Sequence, residues 1–237
     1  MTRRRFIADT WTTTTATLTG DQAAHLARVL RAVPGQIYDI VAKGFLHRAE
    51  ITEVNENQVH FKLHEELQSD AALPLHLLLA VFKFDHMEWA IEKATELGIA
   101  RITPILARRT EKHLAQSALK RSERWRRIAL EASKQSRRTD IPDIIDPTPL
   151  KQALEHEKSP TRILLSETEQ ATTLTEALKN SNTGTHAIAI GPEGGWTPEE
   201  ISLFTQYQWQ PVTLGPRILR AETAAIAAIA IASAHLI

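Results

Sequence analysis

The spacing of apolar and polar residues changes character near residue 70. Before that point, IADTWTTTTATL (7–18), QIYDIVAK (36–43), FLHRAEITEV (45–54) and QVHFKLHEEL (58–67) are short and rich in β-branched residues. Turn residues separate them, as in a series of strands and hairpins. In VPGQ, Pro34 presets its own φ and Gly35 accepts a positive one; NEN at 55–57 suits a bend. A single helix interrupts the strands, GDQAAHLARVLRAV (20–33), in which Ala23, Leu26, Ala27 and Leu30 recur at helical spacing. His25, Arg28 and Arg31 fall on or near the other side. Residues 1–70 therefore predict a small barrel carrying one helix, and QSDAALP (68–74) reads as a linker.

From residue 75 to 237 the pattern becomes strand, helix, strand. LHLLLAVF (75–82) is a continuous apolar run, the mark of a strand buried on both faces of a parallel sheet. DHMEWAIEKATELG (85–98) predicts a helix with Asp85 as its cap and Met87, Ala90, Ile91, Ala94 and Leu97 as one stripe; Gly98 ends it. IARITPIL, RILLSE, HAIAI and PVTL supply further strands, with TTLTEALKN and TPEEISLFTQY as helices between them. Thr197-Pro198-Glu199-Glu200 has the form of a capping box with proline at the first helical position. A basic helix spans roughly 118–138, with Trp125, Ile128, Ala129 and Ala132 inward and Arg124, Arg127, Lys134 and Arg138 largely outside that stripe. Such alternation predicts an α/β domain with a mostly parallel sheet. The tail, AETAAIAAIAIASAHLI, is apolar around most of its circumference, so it predicts burial on more than one side, either within the monomer or with one side against a second subunit.

Composition narrows the chemistry. The 237 residues contain no cysteine, which excludes disulfides, thiolate metal sites and a cysteine nucleophile and fits a reducing cytoplasm. The scattered histidines show no metal-ligand spacing. The start has a basic cluster but no apolar core of a secretory signal, and the alanine-rich tail falls short of the ~20 residues of a membrane span. The net charge of zero conceals an uneven distribution: residues 101–140 hold twelve Lys/Arg against four Asp/Glu, and residues 1–31 hold five against two. Two basic segments on an acidic body point to a polyanion, with nucleic acid the first candidate. Arg3, Arg4, Arg5, His25, Arg28 and Arg31 are candidate phosphate contacts, which position a strand without reading it. Trp11 and Trp196 could stack on a base, although core or interface packing is the commoner use of each.

Two stretches carry the most specific signal, IGPEGGWTPEEI (190–201) and LGPRILRAETAAI (214–226). Each breaks a strand at Gly-Pro and then enters a helix. Gly191 and Gly215 allow a sharp turn and close ligand approach, while Pro192 and Pro216 stiffen it and remove an amide donor. In open α/β sheets such strand ends are where ligands bind. Neither loop has the glycine spacing of a phosphate cradle, and Glu193 would repel phosphate, so a cationic or neutral ligand fits better. Glu222 is a possible base or simply a complement to the helix dipole, and the sequence identifies no catalytic base outright.

Together with EKATELGI and the Gln-Ser-x-Arg of SKQSRRTDIP, these two motifs resemble the bacterial 16S ribosomal RNA uridine N3-methyltransferases of the SPOUT class. The likeness extends over nearly the whole chain, including HLARVLRAVPGQ. The resemblance implies an N-terminal PUA-like barrel and a C-terminal α/β domain with a deep trefoil knot. It also implies a cytoplasmic homodimer that methylates uridine 1498 of the small subunit with S-adenosylmethionine and no metal. The cofactor would lie against Leu165, Gly191, Glu193, Gly195, Leu214, Gly215, Ile218, Leu219 and Thr223. Arg220, Arg138 and Glu222 would stand at the reaction centre, with Arg220 the leading candidate and Arg138 the second to stabilise the anion formed at uridine N3, and Arg109 and Gln135 would join the RNA contacts. The chain departs from the family pattern at Lys134 and Arg137, and at Phe84 and His86, where glycine and lysine are usual. Two rivals are a non-catalytic RNA-binding protein on the same fold and a methyltransferase of the same class acting on transfer RNA or at another atom. Retention of both Gly-Pro loops argues against the first; the separate barrel and RILRAET argue against the second.

Overall fold

The computed structural model describes residues 5–68, 72–181 and 184–236, so Arg3 and Arg4 lie outside the described residues. The chain divides into two compact units, residues 1–71 with 133–141, and residues 72–132 with 142–237. The basic turn at 133–141, which continues the helix before it, thus groups with the N-terminal residues rather than with those that flank it in sequence.

In the first unit the strands are β1 (Arg5–Ile7), β2 (Thr10–Trp11), β3 (Thr15–Thr19), β4 (Ile37–Ala42), β5 (Phe45–Val54) and β6 (Gln58–Leu67). They form one sheet in the order β1-β4-β5-β6-β3-β2, antiparallel except for β1 beside β4. The two edge strands are consecutive in the chain. Between them, the Ala8 amide donates to Val41 and the Asp9 amide to Thr17, which draws the sheet edges together and curls the sheet into a barrel. Register shifts at His47/Ala49 and Ile51/Glu53 add the local bend that closure requires. Leu18, Leu26, Ile40, Ile51, Val59 and Phe61 fill the interior.

The helix expected over 20–33 is shorter than its periodicity predicts. It runs as α1 (Gly20–Ala24), widens into a π-helical turn at His25–Val29, and stops with Arg31 at φ 51°. The amide of Leu30 reaches back five residues to the carbonyl of His25. That widening keeps Leu26 in the core while leaving His25, Arg28, Val29 and Arg31 in solvent.

The second unit contains β7 (Leu75–Ala80), α2 (Phe84–Glu96), β8 (Arg101–Leu106), α3 (Lys112–Ser117), most of α4 (Ser122–Ser136), β9 (Asp143–Ile144) and β10 (Thr148–Pro149). It continues through α5 (Leu150–His156), β11 (Thr161–Leu165), α6 (Leu174–Lys179), β12 (His186–Ile190), α7 (Pro198–Gln206), β13 (Gln210–Val212) and α8 (Ala221–Leu236). The sheet is parallel throughout, in the order β10-β8-β7-β12-β11-β13, with β9 also beside β8. Side-chain alternation along β7 explains its unbroken apolar run: Leu75, Leu77 and Leu79 enter one core and Leu78 the other. On the first face lie Met87 and Ala90 of α2, Trp125 of α4, Leu174 of α6 and Ala225 and Ala228 of α8. On the second lie Leu150 and Leu154 of α5 and Phe204 of α7.

Two local expectations need correction. Asp85 does not cap α2; Lys83 occupies that position, and Asp85 sits in the first turn, where its charge favours the helix dipole. The basic helix is not continuous from 118, because Ala118–Arg121 is a tighter 3-10 turn, and Arg137 at φ 62° ends it before Arg138. Within the chain, α8 buries one side only: Ala225, Ala228, Ile229 and Ala232 are inside, while Thr223, Ala230 and Ala234 are exposed.

Candidate active site

The carboxyl ends of β11, β12 and β13 open onto one cavity of about 1060 Å³, at the upper end of the usual range for small-molecule sites. Its walls are the loops after those strands, together with Lys83 and His86 at the start of α2 and Arg109 after β8. Each loop has a local reason for its shape.

The first Gly-Pro loop turns on a hydrogen bond of 2.8 Å from the Gly195 amide to the Pro192 carbonyl, with Gly195 at φ 71°. At Gly191 a Cβ would stand 3.1 Å from Nε1 of Trp196, so a side chain there would require the indole to give by a few tenths of an ångström. The Trp196 ring packs edge-on against Phe204, with centroids 4.8 Å apart. Trp196 is therefore a half-buried wall of the loop and not an exposed stacking platform. At the loop's far end the Thr197–Glu200 capping box is present as expected. Glu200 is buried, and its other oxygen accepts the Arg108 amide at 2.8 Å, so the start of α7 is tied to the loop after β8. Arg109 continues that tie by donating to the Gly194 carbonyl at 2.6 Å. The residue expected to contact RNA is thus placed as a brace on the first loop.

The second Gly-Pro loop is ordered by Thr213, whose hydroxyl accepts from the Gly215 amide and donates to the Gly215 carbonyl, both at 3.1 Å. Gly215 has φ 116°, a region L side chains rarely adopt. Beyond it Ile218 is 83% exposed, an apolar side chain left at the rim of the cavity.

Leu165, Gly191, Glu193, Gly195, Leu214, Gly215, Ile218, Leu219 and Arg220 all line the cavity, as does Arg109. Thr223 and Glu222 do not, and neither do Gln135 and Arg138. Thr223 points from an exposed position on α8. The Arg138 side chain is 8% exposed and paired with Asp140, in the cluster of the first unit. Of the basic residues near the start, Arg5 donates to the Arg137 carbonyl. Among the described residues, Arg28 faces the solvent-exposed Glu56 at 3.6 Å, a contact of little energetic weight.

Sequence reasoning missed a whole wall, Ser166–Gln170, although it follows the end of β11 and the same strand-end rule applied there. That wall places Glu167 and Glu169 beside Glu193 in the cavity lining. The Glu169 carboxyl is held below its ordinary range by backbone amides, that of Thr172 first and that of Ala171 next. His86, marked in the sequence only as a departure from the family pattern, lines the cavity as well. Its Nδ1 lies 3.6 Å from Oε1 of Glu222, whose side chain is 3% exposed and reaches no hydrogen bond through Oε2. A buried carboxylate oxygen without a partner is costly, of the order of 1–3 kcal/mol.

The donor set fits S-adenosylmethionine. Backbone N–H and C=O groups of two glycine-bearing loops can meet the edge of an adenine, and the carboxylates of Glu167, Glu169 and Glu193 complement a ligand with a sulfonium and an ammonium group. Among the described residues there is no cluster of side chains that would hold a metal ion.

Comparison with known proteins points the same way. Residues 69–233 match the RNA methyltransferase domain family, and residues 18–63 match the RNA methyltransferase PUA domain. The chain is 37% identical to ribosomal RNA small subunit methyltransferase E of Synechocystis sp. over 220 residues, covering 91% of this chain and 72% of that one. It is 31% identical to the protein of the same name from Bacillus subtilis, covering 91% and 88%. A crystal structure of ribosomal RNA small subunit methyltransferase E from Neisseria gonorrhoeae bound to S-adenosyl methionine superposes with a TM-score of 0.81 at 30% identity, covering 97% and 96% of the two chains. A Legionella pneumophila methyltransferase structure in complex with the same cofactor superposes with a TM-score of 0.83 at 29% identity, covering 99% and 98%.

Proposed function

The chain belongs to the RNA methyltransferase family, and from that membership we propose that it methylates N3 of uridine 1498 in 16S ribosomal RNA within the assembled small subunit, using S-adenosylmethionine. The observation that carries the reading is the convergence of both Gly-Pro loops on one cavity lined by backbone groups and carboxylates. When bound there, the cofactor supplies an electrophilic methyl group on a sulfonium centre. The trefoil knot implied for these loops belongs to the same reading, with the strand-end turns at Gly191 and Gly215 holding the slot open.

In this reading the backbone of 191–195 and 214–219 grips the adenine edge, and Glu167, Glu169 and Glu193 balance the positive charge of the ligand. Arg220 donates hydrogen bonds to O2 or O4 of the uracil and so stabilises the anion left when N3 gives up its proton. Holding N3 in line with the methyl carbon supplies much of the acceleration. N3 lies on the pairing edge, so the target base enters unpaired or turned out of its stack. Exposed His25, Arg28 and Arg31, with Arg3, Arg4 and Arg5 before them, supply phosphate contacts; Gln135 stands with them on the first unit. The reading includes a cytoplasmic homodimer formed through the open side of α8 and the neighbouring Trp89 of α2, which is 47% exposed.

Incubation with isotopically labelled S-adenosylmethionine and either assembled small subunits or free 16S RNA, followed by mapping of the labelled base, tests the reading. One N3-methyluridine in the subunit is expected. No label in either substrate would favour a non-catalytic binder, and label on carbon or ribose would favour a different modification. Sedimentation of the pure protein tests the dimer, for which twice the 26.5 kDa chain mass is expected.

A further inference from the structure

Methylation at N3 releases a proton, and the groups assigned above do not accept it: Arg220 donates hydrogen bonds, and the cavity carboxylates face the cofactor. We propose that His86 is the proton acceptor and that Glu222 is the positioning residue behind it. The proposal rests on the uridine N3 reading. His86 lines the cavity with its side chain 30% exposed. Its Nδ1 is turned inward, buried and without a hydrogen bond, 3.6 Å from the Glu222 carboxylate. Glu222 itself is 3% exposed, does not reach the cavity, and among the described residues leaves Oε2 without a partner. A side-chain rotation of less than an ångström, on the order of the difference between 3.6 Å and a hydrogen bond, brings the two groups into contact.

A carboxylate behind an imidazole places the ring proton on Nδ1 and leaves Nε2 as the free base, the same logic by which other enzymes set a histidine tautomer. The charged groups around His86 suit that role. Asp85 of the same helix lies 3.8 Å from Nε2, and Glu222 approaches from α8. The cations Lys83, Arg109 and Arg220 share the cavity lining. In the reaction the N3–H electron pair forms the N3–methyl bond, and the methyl–sulfur pair returns to sulfur. The proton passes from N3 to Nε2 of His86, giving an imidazolium whose charge Glu222 balances, and it leaves to solvent afterwards.

The test compares wild type, His86→Gln and Glu222→Gln, each first shown to be folded by its melting curve. Calorimetry with S-adenosylhomocysteine should give affinities within about twofold of one another, because neither residue holds the cofactor in this proposal. Single-turnover methylation of small subunits should fall about 10²–10⁴-fold in His86→Gln at neutral pH, the usual worth of a general base. That variant's rate should rise with pH as hydroxide replaces the lost base, while the wild-type rate levels off. Glu222→Gln should retain a base but lose about tenfold, with its pH profile displaced. Nitrogen NMR of wild-type protein supplies a readout independent of turnover, with neutral His86 expected to carry its proton on Nδ1. A folded His86→Gln enzyme with the wild-type rate and pH profile would overturn the proposal alone, as would a proton found on Nε2. A wild-type enzyme that binds S-adenosylhomocysteine but methylates neither subunits nor free RNA would overturn the uridine reading and the proposal with it.

Discussion

The two ends of the parallel sheet each hold a buried glutamate beside a histidine, yet they solve the electrostatic problem in opposite ways. At the amino end, Glu157 is 3% exposed and both its oxygens are bonded. Oε1 accepts from the amide and hydroxyl of Ser159 at 2.8 and 2.7 Å, and Oε2 meets Arg101 at 2.9 Å, with His76 3.2 Å away. At the carboxyl end, Glu222 is equally buried, but among the described residues its Oε2 has no hydrogen-bond partner and His86 stands 3.6 Å away. Positive φ values occur at both ends, at Gly195 and Gly215 beside the cavity and at Gly98, Gly184 and Gln208 before strand starts, so backbone conformation alone does not separate them. A satisfied buried charge supports the fold; an unsatisfied one beside a cavity is a cost that the fold alone does not explain. The difference separates a stabilising pole of the sheet from a working one.

The largest effect that would sharpen this contrast belongs to Arg220. Arg220→Ala should slow methyl transfer about 10²–10³-fold, as loss of an oxyanion donor does. Its melting temperature and affinity for S-adenosylhomocysteine should stay unchanged, and a large drop in either would erase the distinction between the poles. Glu157 provides the converse. Burial alone would raise its carboxyl, but hydrogen bonds from His76 and Ser159 more than reverse this and hold it at about 2, against an ordinary 4.5. A depressed folded-state value means that the stabilisation is fully present above pH 4.5 and is lost as pH falls toward 2. The difference corresponds to roughly 3 kcal/mol. Denaturant titrations across that window should show the loss in wild type and a flatter profile in Glu157→Gln, with cofactor binding at neutral pH intact. Next, Gly215→Ala should weaken S-adenosylhomocysteine about tenfold by calorimetry, because a Cβ disfavours the φ of 116° that shapes the second loop. The smallest effect is expected from Thr197→Ala, about 1 kcal/mol of stability from the lost helix cap. It lies at the working pole yet should act on the melting curve, so an equal loss of activity would show that the α7 cap is coupled to the loop.

Features that depend on neighbours in the chain were readable beforehand. The apolar run of β7, the parallel α/β alternation, the Thr197–Glu200 box and the two Gly-Pro turns all follow from local spacing and backbone preference. Helix continuity was over-read at 20–33 and 118–138, because side-chain periodicity does not report whether the backbone narrows or widens to seat Leu26 or Trp125 in a core. The cavity was half legible. Eight of the nine residues expected against the cofactor line it, together with Arg220 and Arg109, but the Ser166–Gln170 wall was not anticipated and His86 stood out only as a departure from the family pattern. Arg109 and Glu200 took on bracing contacts that no local pattern announced.

The sequence by itself determined which segments become strands and helices, where glycine and proline force the chain to turn, and that the chemistry would involve neither thiols nor a readable metal motif. Only the tertiary structure decided which charges meet. His76 and Glu157 are 81 residues apart and Arg109 and Gly194 are 85 apart. Their pairing, like that of His86 with Glu222, depends on which strand lies beside which in the sheet. Hydrogen bonding and desolvation act over a few ångströms of space, and a one-dimensional pattern carries no measure of that distance.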